Sequence, residues 1–314
     1  MKSRGILLIS LVLLGAGVSA QEDVATPNPD TGKRIITIDS SGGRQRSVNL
    51  RFGPIIFDHP EPEGIVSTVS NLTIYAHHAE LQAPEGVLIA QAQGQREASF
   101  SDGVRVERGR LEARGPELVY SESTGLGLLS GGANIEISPR EEGEDPVLIT
   151  TEMVEFNVDT DQSISRGNVE LVNGNQMAVA EELLFEENRN LGLLSSQEAQ
   201  PVITRTDEDG SLLTITADEI RVLTDQKRLY ASGNVTVVDG SITSTGNEVF
   251  FDDAESIAEV IGSPAVSVDD ANGVRLESPR IKQDIAFDFV EAIDASVPSE
   301  FAVTDFALAS ENLE

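Results

Sequence analysis

From about Val66 to Ile281 the chain alternates apolar and polar residues with a period of two rather than 3.6. In its clearest unit Leu229, Ala231, Gly233, Val235 and Val237 fall on one side of an extended strand. Tyr230, Ser232, Asn234, Thr236 and Val238 fall on the other, and Asp239-Gly240 supplies a hairpin turn. A second strand follows from Ile242 and ends near Val249 and Phe251. An earlier unit repeats the arrangement: Gly167, Val169 and Leu171, a turn at Asn173-Gly174, then Met177, Val179, Leu183 and Phe185. No stretch of about 12 residues carries a helical period. Turn signals every 8–12 residues or so predict antiparallel strands closed into a sandwich, barrel or roll.

The units recur. Strands of the V-x-V type begin at Val104, Ile135, Val169, Val202, Val235 and Val266, a spacing of about 33 residues. Between them fall Glu80-Leu81, Glu117-Leu118, Glu152-Met153, Glu182-Leu183, Glu219-Ile220 and Glu248-Val249, with Arg280-Ile281 as a degenerate last copy. One such unit cannot bury its own apolar face, so about seven repeats over 66–285 are expected to stack.

The flanks differ. Arg34 to Phe52 alternates around Ser40-Ser41-Gly42-Gly43 and is expected to form a hairpin, with Ile36, Ile38, Val48, Leu50 and Phe52 on its apolar face. Residues 53–65 are read as a Pro-rich connection, where proline confines any strand to an edge. Residues 21–33 have no periodicity and are expected to be a disordered leader. The tail, 286–314, holds Phe287, Phe289, Phe301 and Phe306, and is expected to close or cap the stack.

Residues 1–20 carry a charged start (Lys2, Arg4), an apolar run from Ile6 to Leu14, and Val18-Ser19-Ala20 before Gln21. This predicts a signal peptide cleaved after Ala20 and export, in a bacterium to the periplasm. The chain has no cysteine, which removes disulfides, thiolate metal sites and cysteine catalysis. A formal net charge of −31 argues against nucleic acid as a partner. Trp is absent and aromatics are 4% of residues, so the interior must be built from Val, Ile, Leu and Ala.

Candidate chemistry is sparse. One glutamate per repeat at one phase reads as a solvated ladder guarding the sheet rather than an acid–base pair. His77-His78-Ala79-Glu80 lacks the zinc spacing HExxH, and with His59 its histidines are read as strand or turn residues. Asn157-Asp159-Asp161 and Asp207-Glu208-Asp209-Gly210 lack the full ligand set of a calcium loop. No catalytic residue, metal or cofactor is therefore expected. The remaining feature is the inward apolar face, either a packed core or a groove for an elongated ligand. An acyl chain of about 14 carbons could gain at most about 11 kcal/mol there.

Ala217-Asp218-Glu219-Ile220 followed by Leu229 to Val237 (LYASGNVTV) resembles the repeat of the LptA/OstA family. So do Ser165 to Leu171 (SRGNVEL) and Ala180 to Phe185 (AEELLF). The resemblance covers about 111–281. It implies an all-β fold: an elongated jelly-roll of stacked antiparallel strands, open along one side, as one roll or two tandem modules meeting near residue 165. It further implies a non-enzymatic periplasmic bridge holding the acyl chains of lipopolysaccharide or a related glycolipid. Its partners would be an inner-membrane transporter, an outer-membrane translocon, and further copies joined end to end through edge strands. On this resemblance the groove would be lined by Val169, Leu171, Val179, Leu183, Ile215, Ile220, Val235, Val237, Val249 and Phe251. The alternative is a structural or adhesive envelope protein with a dry core.

Overall fold

The structure is a computed structural model, and it describes residues 31–59, 64–207, 209–294, 299 and 301–313. The expected signal peptide and most of the expected leader lie outside the described residues. Thr31–Lys33, the end of that leader, belong to a 3-10 turn, Thr31–Arg34.

Among the described residues twenty-one strands form one antiparallel sheet. They are β1 (Thr37–Asp39), β2 (Arg44–Ser47), β3 (Ile55–Asp58), β4 (Ile65–Val69), β5 (Leu72–Ala76), β6 (His78–Gln82) and β7 (Glu97–Arg108). Then follow β8 (Leu111–Ser121), β9 (Leu126–Ile137), β10 (Val147–Asn157), β11 (Gln162–Asn173), β12 (Gln176–Glu186), β13 (Leu191–Ser195) and β14 (Val202–Thr206). The last seven are β15 (Leu212–Thr216), β16 (Glu219–Leu223), β17 (Arg228–Asp239), β18 (Ile242–Asp252), β19 (Ile257–Asp269), β20 (Val274–Asp284) and β21 (Phe289–Ile293). Each repeat of about 33 residues is one hairpin, as the alternation and the Asn-Gly and Asp-Gly turns require.

Every long strand bends near its middle, and the bends align into a seam. On β17 the pairing with β18 slips between Ser232 and Val235, and on β11 the pairing with β12 slips between Arg166 and Val169. Gly233 and Asn234 sit at φ +78° and +47°, Gly167 and Asn168 at +82° and +46°. The Gly-Asn pair of the repeat is thus a left-handed bulge, where glycine has no Cβ penalty and asparagine tolerates the region best. A Cβ on Gly167 would lie 2.6 Å from Glu152 Oε2. Asn168 Nδ2 donates to Glu152 Oε1 at 2.5 Å, and Asn234 Nδ2 to Asp218 Oδ2 at 2.7 Å, so an acid at the neighbouring seam position, on β10 or in the break between β15 and β16, pins each bulge. Elsewhere the strand is cut at the seam: β5 and β6 each pair with one half of β7, and β15 and β16 each with one half of β17.

The seam divides the sheet into two arms that fold face to face. The first arm holds residues 228–232 of β17, the second 235–239, and inward residues of both join one apolar core. An 11-residue strand spans about 36 Å when extended. Side chains at opposite strand ends nevertheless touch, as described below, which requires the sheet to double over.

The seam also corrects the expected N terminus. β1 pairs with β4 and β2 with β3, so Arg34–Phe52 is not a hairpin; β1 and β2 are two halves of one bent strand in different arms. Val48 and Leu50 are exposed. The stretch after Pro54 contains β3, which pairs on both sides, with β2 and β6. Proline is tolerated because it precedes the strand and removes no ladder donor.

In the tail, β21 pairs with β20, and Phe301, Phe306 and Leu308 turn back onto the outer face of the first arm. There they meet Leu191, Leu223, Tyr230 and Phe250, with the Phe250 and Phe301 rings stacked at 5.3 Å. Arg221 Nη1 donates to Glu311 Oε2 at 2.7 Å and fixes the turn.

The interior and mouth of the roll

Nine of the ten proposed lining residues do face inward. Val169, Leu171, Leu183, Ile215, Ile220, Val235, Val237, Val249 and Phe251 are between 0% and 4% exposed and belong to the shared core. Val179 does not join them. It is 44% exposed on the outer face, and its neighbours Ala178 and Ala180 point inward instead. The cause is the seam. Opposite the bulge on β11, β12 changes phase between Ala180 and Leu183, so a strict alternation carried from Leu183 back to Val179 crosses from one face to the other.

The side of the roll opposite the seam is its mouth, formed where hairpin turns of the two arms meet. It is held by side chains rather than by strand pairing. Arg108, at the end of β7, donates from Nε to Glu187 Oε1 and Oε2 at 3.1 and 3.0 Å. Its Nη1 and Nη2 reach the carbonyls of Asn157 and Gln162 at 2.8 and 3.0 Å. Arg110 Nη2 donates to Asn190 Oδ1 at 2.5 Å. Further along, Asn173 Nδ2 donates to Thr224 O at 2.6 Å, and Arg205 Nε stands 2.7 Å from Asp253 Oδ1. Burial pushes the Glu187 carboxyl above the ordinary range, although Arg108 pulls it down.

The sequence carries a signal for this clasp that alternation alone passes over. At four of the second-arm turns the last inward position is polar: Arg108 after Val104 and Val106, Asn173 after Val169 and Leu171, Arg205 after Ile203, Asp239 after Val235 and Val237; at the turn after β9 it is the apolar Ile137. In the first arm the matching positions are Glu187, Thr224, Asp253 and Ile285. Inward-facing polar residues at strand ends mark the rim of a folded sheet, where apolar burial gives way to partnered polar groups.

The glutamate ladder lies outside the roll. Glu182, Ser195, Glu219, Ser232 and Glu248 are successive register partners across β12, β13, β16, β17 and β18. Serines separate the carboxylates by two strand spacings, about 9.5 Å. Among them, Arg166 Nε donates to Glu182 and Arg221 Nε to Glu219, each at 2.7 Å. The histidines serve the seam: His59 is buried with Nε2 3.1 Å from Ser41 O, and His78 Nδ1 lies 2.7 Å from Asp58 Oδ1. Among the described residues no group of three or more His, Cys, Asp or Glu side chains is placed to hold a metal ion.

No protein-family model matches the chain, and no curated protein matches it. Among solved structures the chain is similar to LptH, the LptA-homologous periplasmic component of the conserved lipopolysaccharide transport device from Pseudomonas aeruginosa. The two are 13% identical with a TM-score of 0.35, over 38% of this chain and 83% of that one.

Proposed function

We propose that this chain is a non-enzymatic periplasmic carrier or bridge that takes the acyl chains of lipopolysaccharide or a related glycolipid between the two arms of its roll. One observation carries the reading. A single apolar lining runs from Ile65 to Ile285 through both arms, and the mouth beside it is held by side-chain clasps, not by backbone ladders. Parting the arms at the mouth costs a few polar contacts and leaves every strand ladder intact. Acyl chains entering there would replace arm-to-arm apolar contacts with lipid contacts, each methylene contributing roughly 0.8 kcal/mol. The proposed transfer partners are an inner-membrane transporter and an outer-membrane translocon. Copies would join end to end through β1 and β2 at one end and β21 at the other, each of which pairs on one side only.

A second reading is favoured by the nearly complete burial of the nine inward residues: a β-rich envelope spacer with a dry core. In-cell photocrosslinking separates the two. With a crosslinker at Val237, and Thr236 and Val179 as outward controls, the carrier reading expects lipid adducts at Val237 alone. Protein adducts at the controls with no lipid at Val237 would establish the spacer.

A further inference from the structure

Clasps recur along the mouth, and beyond Arg205 one is missing. Arg108 meets Glu187, Asn173 meets Thr224, and Arg205 meets Asp253. At the next position the second arm supplies Asp239 and the first arm supplies Ile285. No clasp forms there. The arms instead border a cavity of about 800 Å³ lined by Arg205, Asp207, Leu212, Asp239, Ile285 and Asp288 among others.

The gap is predominantly negative: Asp207, Asp209, Asp239 and Asp288 line it with a single guanidinium, that of Arg205. Asp239 is 5% exposed, and its Oδ2 is buried without a hydrogen-bond donor. Arg205 is engaged by Asp253 and by Asp207, at 2.7 and 2.8 Å. Among the described residues no Lys or Arg forms an ion pair with Asp239 or Asp288. Burial, then the negative charge of Asp288, holds the Asp239 carboxyl above the ordinary aspartate range, against smaller opposing effects of the Gln283 side chain and the Arg205 charge. A buried carboxylate oxygen with no donor and no direct ion pair is costly unless a ligand supplies a partner. Beside the carboxylates, Leu212, Val238, Ile285 and Ala286 give the same cavity an apolar wall.

We infer that this gap in the mouth is a binding site for a primary alkylammonium, with the ammonium between Asp239 and Asp288 and the alkyl part against Leu212 and Ile285. The absence of a three-carboxylate cluster of coordinating geometry among the described residues disfavours a metal ion as the cation. The volume is in the range of small-molecule sites. The site stands whether or not acyl chains enter the roll. The same chemistry occurs in a free diamine and in the amine of an amphiphile, and the two differ in how much they use the apolar wall.

The test is isothermal titration calorimetry of the full exported chain with octylammonium and, separately, putrescine, at about 0.15 M salt so that the acidic surface is screened. Octylammonium is expected to bind saturably at one site. Affinity should fall on the order of tenfold or more in Asp239→Asn, as expected for loss of a desolvated charge partner, and several-fold in Asp288→Asn. Glu136→Gln, on the exposed outer face, should bind like the wild type. Equal affinity for putrescine would identify a free diamine, and preference for octylammonium an amphiphile. If Asp239→Asn gives no cooperative melt, Asp288→Asn decides. Equal binding by the Asp288→Asn, Glu136→Gln and wild-type chains, or no saturable binding, would overturn the inference.

Discussion

Arg108 and Glu187, 79 positions apart, form the clasp that joins the turn after β7 to the turn after β12, with Arg108 Nε 3.1 and 3.0 Å from the two carboxylate oxygens. Both side chains are largely buried, at 2% and 13% exposure, and the guanidinium is further satisfied by carbonyls. Removing one partner strands the other. Arg108→Leu and Glu187→Leu are therefore each expected to lower the unfolding free energy by about 3 kcal/mol, and the double variant Arg108→Leu/Glu187→Leu by much less than their sum. Urea denaturation of the four members of the cycle measures it; additive losses would mean that the pair is not coupled.

At the seam, Gly233 holds φ +78° with Asp218 packed where a Cβ would stand. Gly233→Ala is expected to cost about 1–3 kcal/mol through backbone strain and collision with that carboxylate. Asn234→Gly, which keeps the left-handed conformation accessible and loses one hydrogen bond, should cost about 1 kcal/mol. Thermal melts of the two variants check the order, and a Gly233→Ala melt equal to wild type would count against the bulge.

Val237 and Val179 lie on alternating strands with similar sequence surroundings, yet the first is fully buried and the second exposed. An aspartate at Val237 buries an unpaired carboxyl and is expected to cost several kcal/mol, enough to abolish the cooperative transition. An aspartate at Val179 should change stability by no more than about 0.5 kcal/mol. Circular dichroism melts of Val237→Asp and Val179→Asp distinguish the seam-corrected facing from simple alternation, which treats the two alike.

The N-terminal segment depends on Glu122. Its carboxylate receives the backbone N–H groups of Ile36 and Gly94 at 3.0 and 2.8 Å and the Arg96 guanidinium at 2.9 Å. Burial alone would raise its pKa, but these donors outweigh burial and leave it below the ordinary glutamate value. A carboxyl with a lowered folded pKa contributes stability that is fully present above the unfolded glutamate value and is lost as pH falls through the lower, folded one. The wild type should thus lose stability on acidification through that window, and Glu122→Gln, already destabilised at neutral pH, should lose less. Parallel pH slopes for both chains in urea titrations would place the acid sensitivity elsewhere.

The sequence by itself determined the all-β class, the hairpin repeat and most of the inward set. Period two, Asn-Gly and Asp-Gly turns and V-x-V strands such as Val235-Thr236-Val237 are local properties, and strand geometry converts them directly into faces. Glycine and asparagine at 233 and 234 were visible as a recurring signal, but their meaning was not. A left-handed bulge adds a residue to one strand, and the compensating phase change falls on the neighbour, so Val179 is turned outward by an event on β11. That is a pairing effect, beyond the reach of β12's own pattern. The doubling of the sheet likewise decided which turns meet. Arg108 and Glu187, Arg205 and Asp253, and Phe306 and Tyr230 are brought together by the fold of the arms and the return of the tail. Their affinity depends on mutual burial, which exists only once distant strands have closed around them.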